Sequence, residues 1–283
     1  MQLPIAIVAV FVVLWGALWG SFLNVVVYRL PARLSVVHPR SRCPKCGTQL
    51  TWWQNIPVLS WVLLGGRSHR CKTWISVRYP LVEAAMAVLS LAVAWPWLPG
   101  LVSGDLPLWQ GIVGVLAEQV FVFVLLAIAL IDADTFLVPD VLSLPLPLLG
   151  LGLAIALGPV RGVTWQQGAA GALAGGGGLL AVQWLYAVLT HREGLGTGDV
   201  KLMAGIGAFL GLQALPAVLL VAALQGLLFV GGWALAGRGK LATDRGLASI
   251  RHLAMPFGPF LALGALQWLL LHRIAGKMLA HWL

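Results

Sequence analysis

Long apolar runs separated by shorter polar segments make up most of the chain. The eight runs lie at 3–27, 80–98, 110–131, 137–157, 168–189, 201–213, 215–236 and 256–271. Because a spanning helix needs about 20 apolar residues, the pattern predicts an all-α polytopic membrane protein with about eight transmembrane helices. Two runs are weaker, since 201–213 is short and 137–157 contains Pro139, Pro145 and Pro147. Neighbouring helices in a membrane can satisfy the carbonyl groups that such prolines leave without a partner.

The composition excludes both a water-soluble globular domain and a disordered chain. Of the 283 residues, 60% are hydrophobic and 10% are charged, and the net charge is +9. Soluble domains are about 45–50% apolar and about 25% charged, and disordered chains combine low hydrophobicity with high charge. Basic cytoplasmic loops account for the positive charge of a membrane protein, so we expect contact with membrane lipid and no nucleic-acid partner.

The basic residues concentrate in segment 28–79, which holds nine of them and no acidic residue. No Lys or Arg precedes Arg29, so the first run lacks the basic start of a cleaved signal peptide. With alternate loops assigned to the cytoplasm, fifteen of the eighteen basic residues fall on that side or beside it. We therefore expect a first transmembrane helix at 1–27, a cytoplasmic loop domain with all three cysteines at 28–79, and a helical membrane domain at 80–283, with both termini outside.

Two aspartates lie at the same predicted membrane face. Asp132 ends one apolar run, and Asp199 opens a later helix directly after Gly196 and Gly198. An ionisable group at membrane depth is costly, and two carboxylates that meet there can share a proton, as in aspartic proteases. The glycines would allow unusual torsions and close approach of a substrate backbone. The alternative is a pair of solvent-facing aspartates at helix ends, with Asp199 as an ordinary N-cap.

Six blocks of sequence resemble the bacterial type IV prepilin peptidases, and they follow the order of that family. The blocks lie at 20–31, 53–57, 78–83, 131–134 with 139–140, 194–201 and 256–259. The fifth contains the Gly-x-Gly-Asp motif that this family shares with other intramembrane aspartyl proteases. The resemblance covers nearly the whole chain.

The resemblance implies a bifunctional enzyme of the bacterial inner membrane. It would cut the leader peptide from prepilins or type II secretion pseudopilins at the cytoplasmic face, with Asp132 and Asp199 as the catalytic aspartates. Asp134, Asp140 and Lys201 lie beside them and would have supporting roles. It would then methylate the new N-terminus with S-adenosylmethionine as the methyl donor.

The methyl-transfer site is less clear from the sequence, which contains no G-x-G-x-x-G fingerprint. The resemblance places this function around the large loop, where the candidates are Asn55, Gly66, Tyr79 and Glu83. Gln54 stands where many relatives carry an acid. Glu83 has an alternative role as a packed membrane glutamate that pairs with Arg78.

The cysteines depart from the family pattern. Cys43 and Cys46 form a C-x2-C pair, which usually supplies half of a zinc site. Many relatives have a second such pair, but here Ser68 stands in the place of its first cysteine and Cys71 in the place of its second. His69 would complete a zinc site of three thiolates and one imidazole. The alternative is a metal-free loop in which Cys71 is a free thiol.

Other function classes fit the sequence less well. No H-E-x-x-H or G-x-S-x-G motif supports a metalloprotease or a serine protease. A proton-coupled transporter would use the intramembrane carboxylates as relays, but it predicts an inverted repeat that the sequence lacks. The altered cysteine set leaves a peptidase without methyl transfer as an alternative. An assembly scaffold that has lost its activity is opposed by the intact pair Asp132 and Asp199, and the cysteine set supports such a loss for methylation alone.

Overall fold

The computed structural model describes residues 4–43, 45–191, 196–235 and 255–282. Within these ranges the regular structure is helical, apart from two isolated β-bridges. The chain divides into two compact units, Met1–Ala127 and Ile128–Leu283. Residues 192–195, which include the start of the glycine-rich block, lie outside the described residues. So do residues 236–254, which join the last two apolar runs.

The first unit consists of two closely packed helices, the insert between them and the helices that follow. Its elements are α1 (Ile5–Arg29), a 3₁₀ turn (Trp52–Asn55), α2 (Leu59–Leu63), α3 (Arg78–Ala94), α4 (Leu98–Ser103) and α5 (Leu108–Thr135), which continues into the second unit. A Cβ atom on Gly20 of α1 would lie 2.6 Å from the Cα of Glu83 on α3. Small residues at such positions let two membrane helices approach closely.

The pairing of α1 with α3 is antiparallel. Gly16 of α1 faces Ser90, Gly20 faces Glu83, and the Asn24 side chain donates a 3.2 Å hydrogen bond to the carbonyl of Tyr79. Both ends of the insert therefore leave the helix pair at the same end.

The second unit is built around a buried central helix. Its further helices are α6 (Asp140–Ser143), α7 (Pro145–Arg161), α8 (Trp165–Thr190), α9 (Thr197–Leu210), α10 (Ala214–Leu235) and α11 (Gly258–Trp282). Helix α9 packs against both α7 and α8. A Cβ on Gly150 of α7 would lie 2.6 Å from the backbone of α9, and a Cβ on Gly175 of α8 would lie 2.6 Å from the carbonyl oxygen of Met203. Glycines thus allow α9 to lie deep in the unit, with Asp199 in its first turn.

The fold class predicted from the sequence is confirmed. Seven of the eight apolar runs each correspond to one helix of the structure, and the run 137–157 corresponds to α6 and α7. Among the described residues, five helical segments are long and apolar enough to cross a membrane, and the part of α11 from Gly258 to His272 is apolar but shorter. The proline-rich run is helical as well, but α6 ends at Ser143 and α7 begins at Pro145, so the prolines set helix boundaries. The number of spans stays a prediction.

Candidate functional site

Asp132 and Asp199 lie in the same unit and interact electrostatically. Asp132 belongs to the last turn of α5 and Asp199 to the first turn of α9. Both side chains are buried, with 5% and 8% of their surface exposed. Asp132 exerts a repulsive Coulombic effect on Asp199. The structure therefore brings together the two carboxylates that the sequence placed at one membrane face.

A backbone amide of α11 orients one of these carboxylates. Asp132 Oδ2 accepts a 2.9 Å hydrogen bond from the N–H of Gly258, at the start of that helix. A Cβ atom at position 258 would lie 2.7 Å from the same oxygen, so only glycine fits without displacement. The sequence singled out block 256–259 but gave it no role. The signal in the sequence that could have indicated this role is a glycine between Phe257 and Pro259 at the start of a predicted helix.

The two glycines before Asp199 have ordinary backbone torsions, and what matters is the room left by their missing side chains. Gly196 has φ −72° and ψ 138°, and Gly198 lies in the first turn of α9. Neither glycine adopts a positive φ. A Cβ on Gly198 would lie 2.6 Å from the Cβ of Val138, so this glycine admits the segment that follows α5. Next to Gly196 there is room, since its Cβ would contact Asp199 Oδ2 at 3.8 Å.

Lys201 and Asp140 form an ion pair beside the aspartates. The Lys201 ammonium lies 2.6 Å from Asp140 Oδ1, which joins α9 to the start of α6. Asp140 is mostly exposed and Lys201 partly so. Asp134 is also exposed, two residues beyond Asp132 on α5. All three supporting residues named from the sequence thus lie near Asp132 or Asp199 in the chain, and two of them, Lys201 and Asp140, pair with each other.

The three cysteines of the insert come together. Their sulfur atoms all lie within 4.8 Å of one another, and Cys43 Sγ is 3.6 Å from Cys71 Sγ. Four thiolates around zinc at about 2.3 Å would place neighbouring sulfurs about 3.8 Å apart, so this spacing fits a tetrahedral metal site. His69 is not in the cluster, because its ring packs edge-on against Trp53 with 5.2 Å between centroids.

Two matching hairpins hold the cluster, and their hydrogen bonds correspond one to one. In the first, Cys43 N donates to Thr48 O at 2.8 Å and Gly47 N to Cys43 O at 2.9 Å. In the second, Ser68 N donates to Thr73 O at 2.8 Å and Lys72 N to Ser68 O at 3.0 Å. Position 68 is therefore the structural counterpart of position 43.

Ser68 is buried and hydrogen-bonds with the sulfurs of both Cys43 and Cys71. Hydrogen bonds from Ser68 and then Thr73 lower the pKa of the Cys71 thiol to about 6. The pKa of Cys43 is also lowered, mainly by a backbone hydrogen bond at Cys46 and then by Ser68. The thiolate form that binds metals is thus favoured in the cluster.

The methyl-transfer candidates lie in the first unit and differ in their surroundings. Asn55 ends the 3₁₀ turn and is exposed, and Tyr79 is 43% exposed in the first turn of α3. Gly66 has φ +69°, and a Cβ there would lie 2.8 Å from the Trp61 ring, so it shapes a turn. Glu83 is buried and accepts a 2.7 Å hydrogen bond from the Val58 N–H.

Comparison with known proteins covers both units. Residues 14–97 match the family described as the bacterial peptidase A24 N-terminal domain, and residues 119–231 match the type IV leader peptidase family. No solved structure matches.

Curated relatives cover most of the chain and are matched over most of their own length. A prepilin leader peptidase/N-methyltransferase of Burkholderia pseudomallei is 38% identical over 93% of this chain and 85% of its own. The protein of the same name from Aeromonas hydrophila is 39% identical over 91% of this chain and 89% of its own length. The one from Dickeya chrysanthemi is 37% identical over 93% of this chain and 92% of its own length. All three alignments span the two aspartates and the insert.

Proposed function

The chain belongs to the type IV leader peptidase family, and on that premise we propose that Asp132 and Asp199 cut the leader peptides of prepilins and pseudopilins. The observation that carries this assignment is the pair of buried, electrostatically interacting carboxylates in one helical unit. Burial keeps bulk water away and favours one shared proton between two close carboxylates. This is the state that an aspartic peptidase needs before each turnover.

The chemistry divides two roles between the aspartates. The ionised member takes a proton from a water molecule, whose oxygen attacks the scissile carbonyl carbon. The protonated member donates to the carbonyl oxygen, and a tetrahedral intermediate forms. As this collapses, the peptide C–N bond breaks and the leaving amine receives a proton from the pair. The hydrogen bond from Gly258 holds Asp132 in a fixed orientation through these steps. The two aspartates titrate as a unit, so the base role belongs to the pair.

We also propose that the first unit methylates the new N-terminus. S-adenosylmethionine would supply the methyl group to the free amine. The exposed groups able to contact such a donor are Asn55 and Tyr79, together with the ring of Trp52. Aromatic faces attract cationic ligands, and the donor carries a sulfonium charge. The names of the relatives support this activity, and the altered cysteine set is the reason to test it against a peptidase-only enzyme.

A zinc ion would join the two hairpins of the insert. Cys43, Cys46 and Cys71 would bind it, since their sulfur spacing fits a tetrahedral site. His69 would have to leave the Trp53 ring to serve as the fourth ligand, whereas Ser68 already lies beside two of the sulfurs. The ion would act as a structural cross-link in a small segment that has little apolar core.

The protein is a multi-pass inner-membrane protein by its helices and its family. We propose that the insert and both aspartates face the cytoplasm, because fifteen of eighteen basic residues fall on that side. An impermeant thiol reagent applied from outside should label cysteines engineered at 102–106 but not Cys46, which is exposed. Labelling of Cys46 in intact cells would show the opposite orientation, with the insert outside.

Co-expression with a prepilin tests the main assignment. Leader removal and the mass of the pilin N-terminus are read in the same sample. A shortened pilin with one added methyl group supports both activities, and a shortened pilin without it indicates a peptidase alone. Uncut prepilin beside well-inserted wild-type enzyme would contradict the assignment. The proton-coupled transporter, the alternative raised by the intramembrane carboxylates, is not favoured by the family match.

A further inference from the structure

Val58 has a backbone conformation that its side chain disfavours. Its φ is 62° and its ψ is −52°, and Leu59 N donates to the carbonyl of Pro57 at 2.6 Å. Residues 57–59 therefore form a γ-turn with positive φ at its centre, which is a rare and strained type. A β-branched residue with positive φ is a genuine outlier. The turn connects the exposed Asn55 segment to the start of α2.

One buried carboxylate holds this turn. Glu83 Oε2 accepts the Val58 N–H at 2.7 Å, a length typical of a hydrogen bond to a charged acceptor. Glu83 lies on α3, where Gly20 of α1 approaches its Cα, and Ser21 of α1 hydrogen-bonds with its side chain. The carboxylate is thus fixed by two packed helices while it binds the backbone of the insert.

Strained backbone persists only where its surroundings determine it, and such residues cluster at functional sites. From this geometry we infer that Glu83 is a positioning residue for methyl transfer. It holds Val58 in the γ-turn and so fixes Asn55 relative to the α1–α3 pair, rather than acting on the donor or the amine itself. This inference rests on the proposed methyl-transfer function of the first unit.

Three variants separate positioning from direct chemistry. Glu83→Ala removes the acceptor, so the turn should relax and methylation of a pre-cleaved pilin peptide should fall by about tenfold or more. Glu83→Gln keeps an oxygen that can accept the Val58 N–H, so it should retain most of the activity. Val58→Gly in the Glu83→Ala background should restore methylation, because glycine adopts positive φ without strain. The matched control is Asp105→Ala, which removes an exposed carboxylate of the same unit.

Amide hydrogen exchange measures the stability of the turn at Val58 independently of enzyme activity. In detergent-solubilised full-length enzyme, the peptide covering 57–63 should exchange faster in Glu83→Ala than in wild type and in Glu83→Gln. Unchanged exchange in Glu83→Ala would overturn the inference. So would a double variant that stays inactive, or a Glu83→Gln enzyme as inactive as Glu83→Ala, since either would assign Glu83 to the reaction. If wild type itself fails to methylate, the proposed function is wrong, and the exchange data still decide whether Glu83 holds the turn.

Discussion

Asp132 and Glu83 make the same kind of contact in two different units, yet the surroundings indicate different uses. Each carboxylate accepts a backbone N–H from a residue distant in sequence, Gly258 for Asp132 at 2.9 Å and Val58 for Glu83 at 2.7 Å. Asp132 also interacts with a second carboxylate, whereas Glu83 hydrogen-bonds with Ser21 and a strained turn. A buried carboxylate is therefore not by itself a mark of acid–base chemistry. What it faces decides its role.

The strongest test of this comparison replaces each aspartate by its amide. Asp132→Asn and Asp199→Asn should each reduce leader removal by about 10³-fold or more, because an amide can neither take nor give the shared proton. Asparagine keeps the shape of the side chain, so insertion and methylation of a pre-cleaved peptide should persist. Cleavage is measured by the electrophoretic shift of a co-expressed prepilin.

The control for this test is Asp134→Asn, which changes an exposed carboxylate two residues away. It should have a much milder effect. If Asp134→Asn abolished cleavage while Asp132→Asn remained active, Asp134 would replace Asp132 in the pair.

Gly258→Ala should disturb the aspartate site without removing a reacting group. The added Cβ would lie 2.7 Å from Asp132 Oδ2, so the carboxylate must move. We expect leader removal to fall by about 10- to 100-fold, since small misplacements of catalytic groups have effects of this size. Gly152→Ala on α7 is the matched control, because a Cβ there meets nothing within 4 Å. Equal cleavage by the Gly258→Ala and Gly152→Ala variants would show that Gly258 does not contribute to leader removal.

The sequence predicts the helices well because apolar runs of membrane length have few other stable conformations. The ends of apolar runs indicate Asp132 and Asp199 as candidates, and the resemblance to the family is what singles them out as a pair. Contacts between residues far apart in the sequence are not predicted in this way. Gly258 follows Asp132 by 126 residues, and nothing local in the sequence indicates that its amide reaches that carboxylate.

The insert shows a second limit. Val58 adopts positive φ although no glycine marks the position, because Glu83 stabilises the turn from another helix. For His69, spacing suggested a metal ligand, but the ring packs against Trp53 and the hairpin directs Ser68 toward the sulfurs instead. In both cases tertiary contacts override what the local residue type favours.

The double change Cys43→Ser with Cys46→Ser should lower zinc from about one ion per chain to none, because two of the three thiolates are lost. Methylation should fall by about tenfold and leader removal by less, since the aspartates belong to the other unit. Metal analysis of purified protein gives the first value, and the co-expression assay gives the others. His69→Ala is the control, and it should keep the zinc if Ser68 or water completes the site. Equal loss of both activities would contradict the division of labour between the units.

The smallest effect is expected from the ion pair beside the aspartates. Lys201→Ala removes a 2.6 Å contact with Asp140, but Asp140 is 60% exposed, and solvent-exposed ion pairs contribute about 1 kcal/mol or less. Leader removal should therefore fall by no more than about fivefold, and high salt should reduce the difference from wild type because it screens the pair. Asp140→Asn should give the same value, and the double variant should be no worse than either single one. A loss as large as that of Asp199→Asn would show instead that Lys201 contacts the substrate or the reacting carboxylates.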